Sequence, residues 1–318
     1  MLHRLAGDTD ADACWHTSSG RYPPGDADSL AAFRLLSSGD PLDHPVRGVL
    51  LDLDGTVYLG ETLIPGAGEA IRAVKGAGVQ VAYLTNKPLQ PRAAYAQKLT
   101  RLGVATAPHE VVTSSTVLAR WLRQHAPGAT LYVIGEPPLL AELRQAGFAL
   151  SHDPQEIDVV VAAFDRGFDY RKLTIGMTAI RRGARFVATN PDRSCPMPEG
   201  EIPDCAAVIG ALEGCTGKQV EVVMGKPSAV MLEMALQVLG LGAGDCLMAG
   251  DRLETDILMA NRAGVRSALV LSGVTRPADL RRASAPDGGS TGAPRPDAVL
   301  DALGDLPALL GIEARRPS

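Results

Sequence analysis

From position 46 onward, short apolar runs of strand length alternate with segments of helical periodicity, and this alternation constrains the fold more than any other feature. Strand-like runs fall at 46–53, 79–85, 130–134, 158–163, 185–189, 220–224, 245–249 and 266–271. Helix-like runs between them fall at 67–75, 91–102, 115–125, 139–145, 172–182, 205–214, 228–239 and 255–263. Strands joined through helices pair in parallel, with right-handed crossovers. The expected class is therefore α/β, a doubly wound parallel sheet with helices on both faces.

One sheet of this size does not need so many strand–helix units. Two clusters of polar residues, near 52–86 and 225–256, flank a segment with strands and helices of its own. Residues 127–221 are expected to form an inserted α/β domain, with 45–126 and 222–312 as the core. Residues 1–44, rich in Gly, Asp, Pro and Ser, read either as a loosely ordered extension or as the product of a start codon placed too early. Residues 285–296 read as a mobile surface loop, 298–310 as an apolar segment docked on the core, and 313–318 as a tail.

With 318 residues and 46% hydrophobic content, the chain can bury two sizeable cores. A formal net charge of -5 offers no basic field for nucleic acid or an anionic membrane surface. The apolar runs are too short to span a bilayer, and the first residues lack the apolar stretch of a secretory signal. Cysteines at 14, 195, 205, 215 and 246 have no zinc-site spacing, and their odd number without a secretion signal suggests reduced thiols in a cytoplasm. Lysine occurs only at 75, 87, 98, 172, 218 and 226, whereas arginine is several times commoner.

The strand ends carry the chemistry. Val49-Leu50-Leu51-Asp52-Leu53-Asp54-Gly55-Thr56 is an apolar run ending in two carboxylates that would share one face of a continued strand. Acids this close repel unless a cation or shared proton intervenes, and a hard cation such as magnesium suits them. The alternative is an Asx turn with a solvated second acid. Thr85-Asn86 ends the next strand and offers a hydroxyl and an amide to an oxyanion, or else caps the following helix. Lys226, in Gly225-Lys226-Pro227, projects from a strand–helix junction, as a phosphate ligand or as a surface lysine in a turn. Asp251 and Asp256 follow a further strand, as metal-directed acids or as helix caps. Four strand ends supplying phosphate- and metal-directed groups make independent coincidence a poor explanation.

Asp-Leu-Asp-Gly-Thr (52–56), Leu-Thr-Asn (84–86), Gly-Lys-Pro (225–227) and Gly-Asp-Arg-Leu-Glu-Thr-Asp (250–256) resemble, in this order, the four motifs of the haloacid-dehalogenase superfamily. Ile64-Pro65-Gly66-Ala67, Phe164-Asp165 and Ala188-Thr189-Asn190-Pro191-Asp192 extend the resemblance to the branch with a large α/β cap, which holds NagD-like and p-nitrophenyl phosphatases. The resemblance implies a Rossmann-like core and a magnesium-dependent phosphatase. By it, Asp52 is the nucleophile forming an aspartyl-phosphate, and Asp54 protonates the leaving oxygen and then activates water. Thr85, Asn86 and Lys226 bind the phosphoryl group. The metal is held by the carboxylates of Asp52 and Asp251 and the backbone carbonyl of Asp54, with Asp256 supporting its waters or Lys226. The cap loop at 190–204 is expected to face substrate, with Asp165, Asn190 and Asp192 as candidate contacts. A scarcity of aromatic residues in the cap favours a sugar or polyol phosphate over a nucleotide or pyridoxal phosphate, and a homodimer through the cap is expected by analogy. Lys87-Pro88 departs from the second Asn common in relatives, which leaves the phosphate site intact but removes a basis for naming the substrate. The alternatives are a phosphotransferase or phosphomutase on the same scaffold, or a non-catalytic phosphate-binding regulator, against which the retention of both Asp52 and Asp54 counts.

Overall fold

β1 (Gly48–Asp52) is buried along its whole length, as an apolar strand paired on both edges and covered on both faces must be. The structure, a computed structural model, describes residues 42, 44–197, 200–283 and 294–312. The expectations for residues 1–41, for the loop from 285 to 293 and for the tail at 313–318 lie outside the described residues.

After β1 the chain forms a small antiparallel hairpin, β2 (Tyr58–Leu59) and β3 (Thr62–Leu63), then β4 (Gln80–Thr85) and β5 (Val111–Thr113). Next come β6 (Thr130–Ile134), β7 (Ala149–Leu150), β8 (Val159–Ala162), β9 (Arg185–Ala188), a second hairpin of β10 (Ser194–Met197) and β11 (Gly200–Pro203), and β12 (Val222–Val223). β13 (Cys246–Gly250), β14 (Arg266–Val270) and β15 (Ala298–Leu300) complete the order. Two parallel sheets result: a six-stranded sheet in the order β15-β14-β13-β1-β4-β5 and a five-stranded sheet in the order β12-β9-β8-β6-β7.

In the first sheet the chain winds from β1 through β4 to β5 on one side, then from β13 through β14 to β15 on the other. The direction reverses between β1 and β13, and ligands of open α/β sheets bind outside the carboxyl ends of the strands at such a reversal. Asp52 pairs with Leu84, and Leu51 with Ala249, so Asp52, Thr85 and Gly250-Asp251 emerge side by side at that edge.

Side-chain alternation splits the core. Val49, Leu51, Val81 and Tyr83 face a cluster closed by Ile71, Val74, Leu99 and the C-terminal Leu303, Leu306 and Leu309, as expected for the apolar tail. Leu50, Ala82 and Leu84 face the opposite cluster, which includes Leu118, Trp121 and Leu122 of the helix Ser114–His125. That same cluster continues into the second sheet through Leu131, Val133, Val159 and Val161. Arg185 strengthens the junction: its guanidinium lies 4.6 Å from the Trp121 ring centroid and donates to the His125 carbonyl at 2.7 Å. The outer face of the second sheet packs Ile134, Val160 and Phe186 under Ile180 and Leu212.

Two readings of the sequence need adjustment. The first sheet was expected to resume at 222, but Val222 and Val223 pair with Val187 and Ala188 in the second sheet. The ladder continues through Met224 N–H to the Ala188 carbonyl and Gly225 N–H to the Thr189 carbonyl, at 2.9 and 2.8 Å, so the chain leaves this sheet immediately before Lys226. A regular helix was expected from Thr255. Instead Leu253–Ile257 forms a widened π turn, and the α-helix begins at Leu258. Among the described residues no helix is long and apolar enough to cross a membrane.

Because Leu122 is fully buried where the two sheets share one cluster, Leu122→Ala is expected to destabilise the protein by about 2–5 kcal/mol. Chemical denaturation followed by circular dichroism checks this. A loss under about 1 kcal/mol would show that the helix does not carry the shared packing.

Candidate active site

The chain turns sharply after Asp52. The Leu53 carbonyl accepts from the N–H groups of Val57 at 2.9 Å and Tyr58 at 3.1 Å, and Gly55 N–H donates to the Tyr58 carbonyl at 2.9 Å. Gly55 has φ +92°, which glycine adopts without strain, and a Cβ there would lie 2.5 Å from Asp251 Oδ2. This turn keeps Asp52 at 7% exposure while the Asp54 side chain is 31% exposed. Both line one cavity of about 450 Å³ with Thr85, Lys87, Lys226 and Asp251.

Lys226 is 3% exposed; its ammonium donates to Asp52 Oδ1 and lies 2.7 Å from Asp256 Oδ1. Asp256 is fully buried, and the π turn brings it beneath Gly250, where a Cβ would lie 2.3 Å from its carboxyl carbon. Its other oxygen, Oδ2, accepts from Arg252 N–H at 3.1 Å. Asp251 is 1% exposed, and its Oδ2 accepts from Val274 N–H at 2.6 Å.

Asp52, Asp251 and Asp256 bring one oxygen each within 4.8 Å of one another. Burial raises the Asp52 carboxyl well above the usual range; Lys226 opposes this, while Asp256 and Asp251 add to it. Asp251 is pushed up to about 6, first by burial and then by Asp256. Burial works against the charge on Lys226, but the carboxylates of Asp256 and Asp52 outweigh it and hold its pKa above the ordinary lysine value. Three buried carboxylates thus share one buried ammonium. Asp52 Oδ2 and Asp251 Oδ1 are buried without a hydrogen-bond partner among the described residues. A cluster short of positive charge, with two orphaned oxygens, fits a divalent cation.

Asn86 lines the same cavity and also serves as a clamp. Its side-chain amide donates to both Asp192 carboxylate oxygens at 3.2 Å and to the Lys226 carbonyl at 3.1 Å, while its Oδ1 accepts from Lys226 N–H at 2.7 Å. That amide holds the Lys226 loop and the loop after β9 together at the wall of the cavity that Asp52 and Thr85 also line. Of the three expected substrate contacts, only Asp192 lines the cavity. Asn190 is 1% exposed, donates to the Asn86 carbonyl at 3.3 Å and accepts from Asp192 N–H at 3.0 Å. Asp165 is elsewhere: it lines a separate cavity, where it bonds Lys172 at 2.6 Å and accepts from Gly167 N–H at 2.9 Å. It follows β8, a strand of the second sheet, whereas Asp52 ends a strand of the first.

Sequence reasoning passed over Lys87 and Arg252, which also line the cavity, and Val274, whose N–H fixes Asp251. The rarity of lysine that singles out Lys226 applies equally to Lys87. Nothing in the wording of 272–274 marks it as a partner of Asp251 before the strands are aligned.

The fold and the buried ion cluster together define a class, and the comparisons agree with it. Residues 49–149 match the family described as haloacid dehalogenase-like hydrolase, and residues 223–306 one described as HAD-hydrolase-like. The chain is 37% identical to sugar-phosphatase AraL of Bacillus subtilis over 87% of this chain and 97% of that one. It is 35% identical to human glycerol-3-phosphate phosphatase, over 84% of this chain and 92% of that one. The solved structure of p-nitrophenyl phosphatase from Archaeoglobus fulgidus superposes with a TM-score of 0.76 at 31% identity, covering 83% of this chain and 98% of that one. The protein belongs to the haloacid dehalogenase-like hydrolases, in the branch of the NagD-like and p-nitrophenyl phosphatases. It is accordingly an enzyme, a hydrolase of the phosphatase type.

A Cβ on Gly273 would lie 2.0 Å from Asp251 Oδ2, so Gly273→Ala must displace that carboxylate. Displacement of a catalytic group by about 1 Å costs roughly 100-fold, and a loss of that order in kcat/KM for p-nitrophenyl phosphate is expected, with the far-ultraviolet circular dichroism unchanged. Wild-type kinetics in this variant would contradict a role for the Asp251 position.

Proposed function

We propose that the protein is a magnesium-dependent phosphatase that hydrolyses a small phosphomonoester, a sugar or polyol phosphate, through an aspartyl-phosphate on Asp52. The observation that carries this reading is the pairing of a buried, lysine-bound Asp52 with a more exposed Asp54 in one cavity. In the first step Asp52 attacks phosphorus while Asp54 gives a proton to the departing oxygen; in the second, Asp54 takes a proton from the attacking water. Two of the three ammonium donors of Lys226 face Asp52 and Asp256, leaving the third for a phosphoryl oxygen. Thr85 Oγ accepts from Lys87 N–H at 3.2 Å, which leaves its own proton for a second phosphoryl oxygen.

Asp52 and Asp251, with the Asp54 backbone carbonyl, would hold a magnesium ion, whose charge would offset the repulsion between these carboxylates and a phosphate dianion. Asp256 already engages Lys226 and Arg252 N–H, so we assign it to holding Lys226. General acid–base help contributes about 10²–10⁴ in rate, so most of the acceleration falls to electrostatic stabilisation by the cation and Lys226.

We assign residues 127–225 as a cap whose loop after β9 brings Asp192 to the cavity. Among the described residues no aromatic ring lines the cavity, so these offer no stacking surface to a nucleobase or pyridine ring, which supports a polyhydroxy leaving group. The names of the sugar phosphatase and glycerol-3-phosphate phosphatase relatives support the same class.

The test is phosphate release from a panel of sugar, polyol, nucleotide and aryl phosphates. Asp52→Asn is expected to lose at least about 1,000-fold in kcat, and chelation of magnesium should abolish turnover reversibly. Absence of metal-dependent release across the panel in folded protein would overturn the reading.

A further inference from the structure

Resting on that phosphatase reading, we propose that Lys87 is a positioning residue for the leaving-group step: its ammonium holds one oxygen of Asp54 so that the other faces the departing ester oxygen. Lys87 Nζ lies 2.9 Å from Asp54 Oδ1, inside the cavity that also holds Asp52 and Lys226. The lysine is itself fixed. Its N–H donates to Thr85 Oγ at 3.2 Å, and its carbonyl accepts from the buried Tyr95 hydroxyl at 3.0 Å. Its backbone is thus tied to the proposed phosphate ligand on one side and to the helix Arg92–Arg101 on the other.

The two lysines of the cavity are not redundant. Lys226 bonds Asp52 and Asp256, whereas Lys87 bonds Asp54. A carboxyl group can carry one proton productively only if the oxygen bearing it points at the acceptor. With Oδ1 occupied by Lys87, Oδ2 is the oxygen left for proton transfer. In the first step Asp52 forms a bond to phosphorus, the bond from phosphorus to the ester oxygen breaks, and the Asp54 Oδ2 proton passes to that oxygen, releasing a neutral alcohol. In the second step water gives its proton back to Oδ2 while its oxygen attacks phosphorus and the bond to Asp52 breaks. Lys87 touches neither the phosphorus nor the ester oxygen in this account and acts through Asp54.

The leaving group supplies the test. An alcohol such as glycerol departs poorly without a proton, whereas p-nitrophenolate departs readily as an anion. The parameter kcat/KM reports on steps up to formation of the aspartyl-phosphate. Lys87→Met is expected to lower kcat/KM for glycerol phosphate about 10–100-fold, within the range of general acid catalysis, and that for p-nitrophenyl phosphate no more than about 3-fold. Lys87→Arg should recover part of the loss. Asp54→Asn should show the same dependence on leaving group, and adding Lys87→Met to it should cost no more than about 3-fold further, because the two act as one unit. Equal losses on the two esters, or additive losses in the double variant, would overturn the proposal and make Lys87 a phosphate ligand or a structural residue. An unchanged Lys87→Met would overturn it as well. A wild-type enzyme inert toward both esters would overturn the phosphatase reading and this proposal with it. An active wild type with parallel losses overturns the proposal alone.

Discussion

The ammonium of Lys226 is buried between Asp52 and Asp256, and the rest of the site is arranged around that cluster. Removing one partner from a buried ion pair typically costs about 3–5 kcal/mol, because the other charge is left without compensation. The cluster is also unbalanced, since Asp251 adds a third carboxylate. The close approaches at Gly55, Gly250 and Gly273 follow from it: side chains there would occupy the space the acids need. So does the widened turn at Leu253–Ile257, from which Asp256 reaches Lys226.

Two acids one residue apart pose a problem of differentiation, and the structure meets it with two lysines. Asp52 ends a strand buried on both faces and is tied to Lys226; Asp54 lies past the turn, more exposed, and is tied to Lys87. Equivalent in the sequence, the pair becomes unequal through depth and partner. That inequality is what a nucleophile and an acid–base group require, because one must stay ionised and hidden while the other must trade protons beside the leaving group.

The sequence was informative where chemistry lies close to a regular element. The strands ending at Asp52, Thr85 and Gly250 were readable because each apolar run stops at a polar group, and Lys226 because proline and glycine frame it. The short strands β2, β3, β5, β7, β10, β11 and β15 were not read, since runs of two to four residues carry too little periodicity. That Asp165 lines a different cavity from Asp52 was not legible, because a strand end in the second sheet looks like one in the first until the topology separates them. The clamp formed by Asn86 was not legible, because an amide beside Thr85 suits a phosphate as well as a clamp. Only its contacts with Asp192 and Lys226, 106 and 140 positions away, distinguish the two. Lys87 was treated as a change in wording, since its partner across the cavity follows from folding and not from spacing.

The hydrophobic cluster around the helix Ser114–His125 runs without interruption from the first sheet into the second. The insertion is therefore not a module hung on a hinge peptide. Excising it would strip the helix of the surface that Leu131, Val133, Val159 and Val161 now cover. Grafting in a foreign insertion would leave Trp121 facing side chains it did not evolve against. On the proposed function, leaving-group preference is thus easier to alter by rewriting loops such as 189–193 than by exchanging the whole insertion. The shared packing makes the two halves inseparable at the seam and leaves only the cavity's rim free to vary.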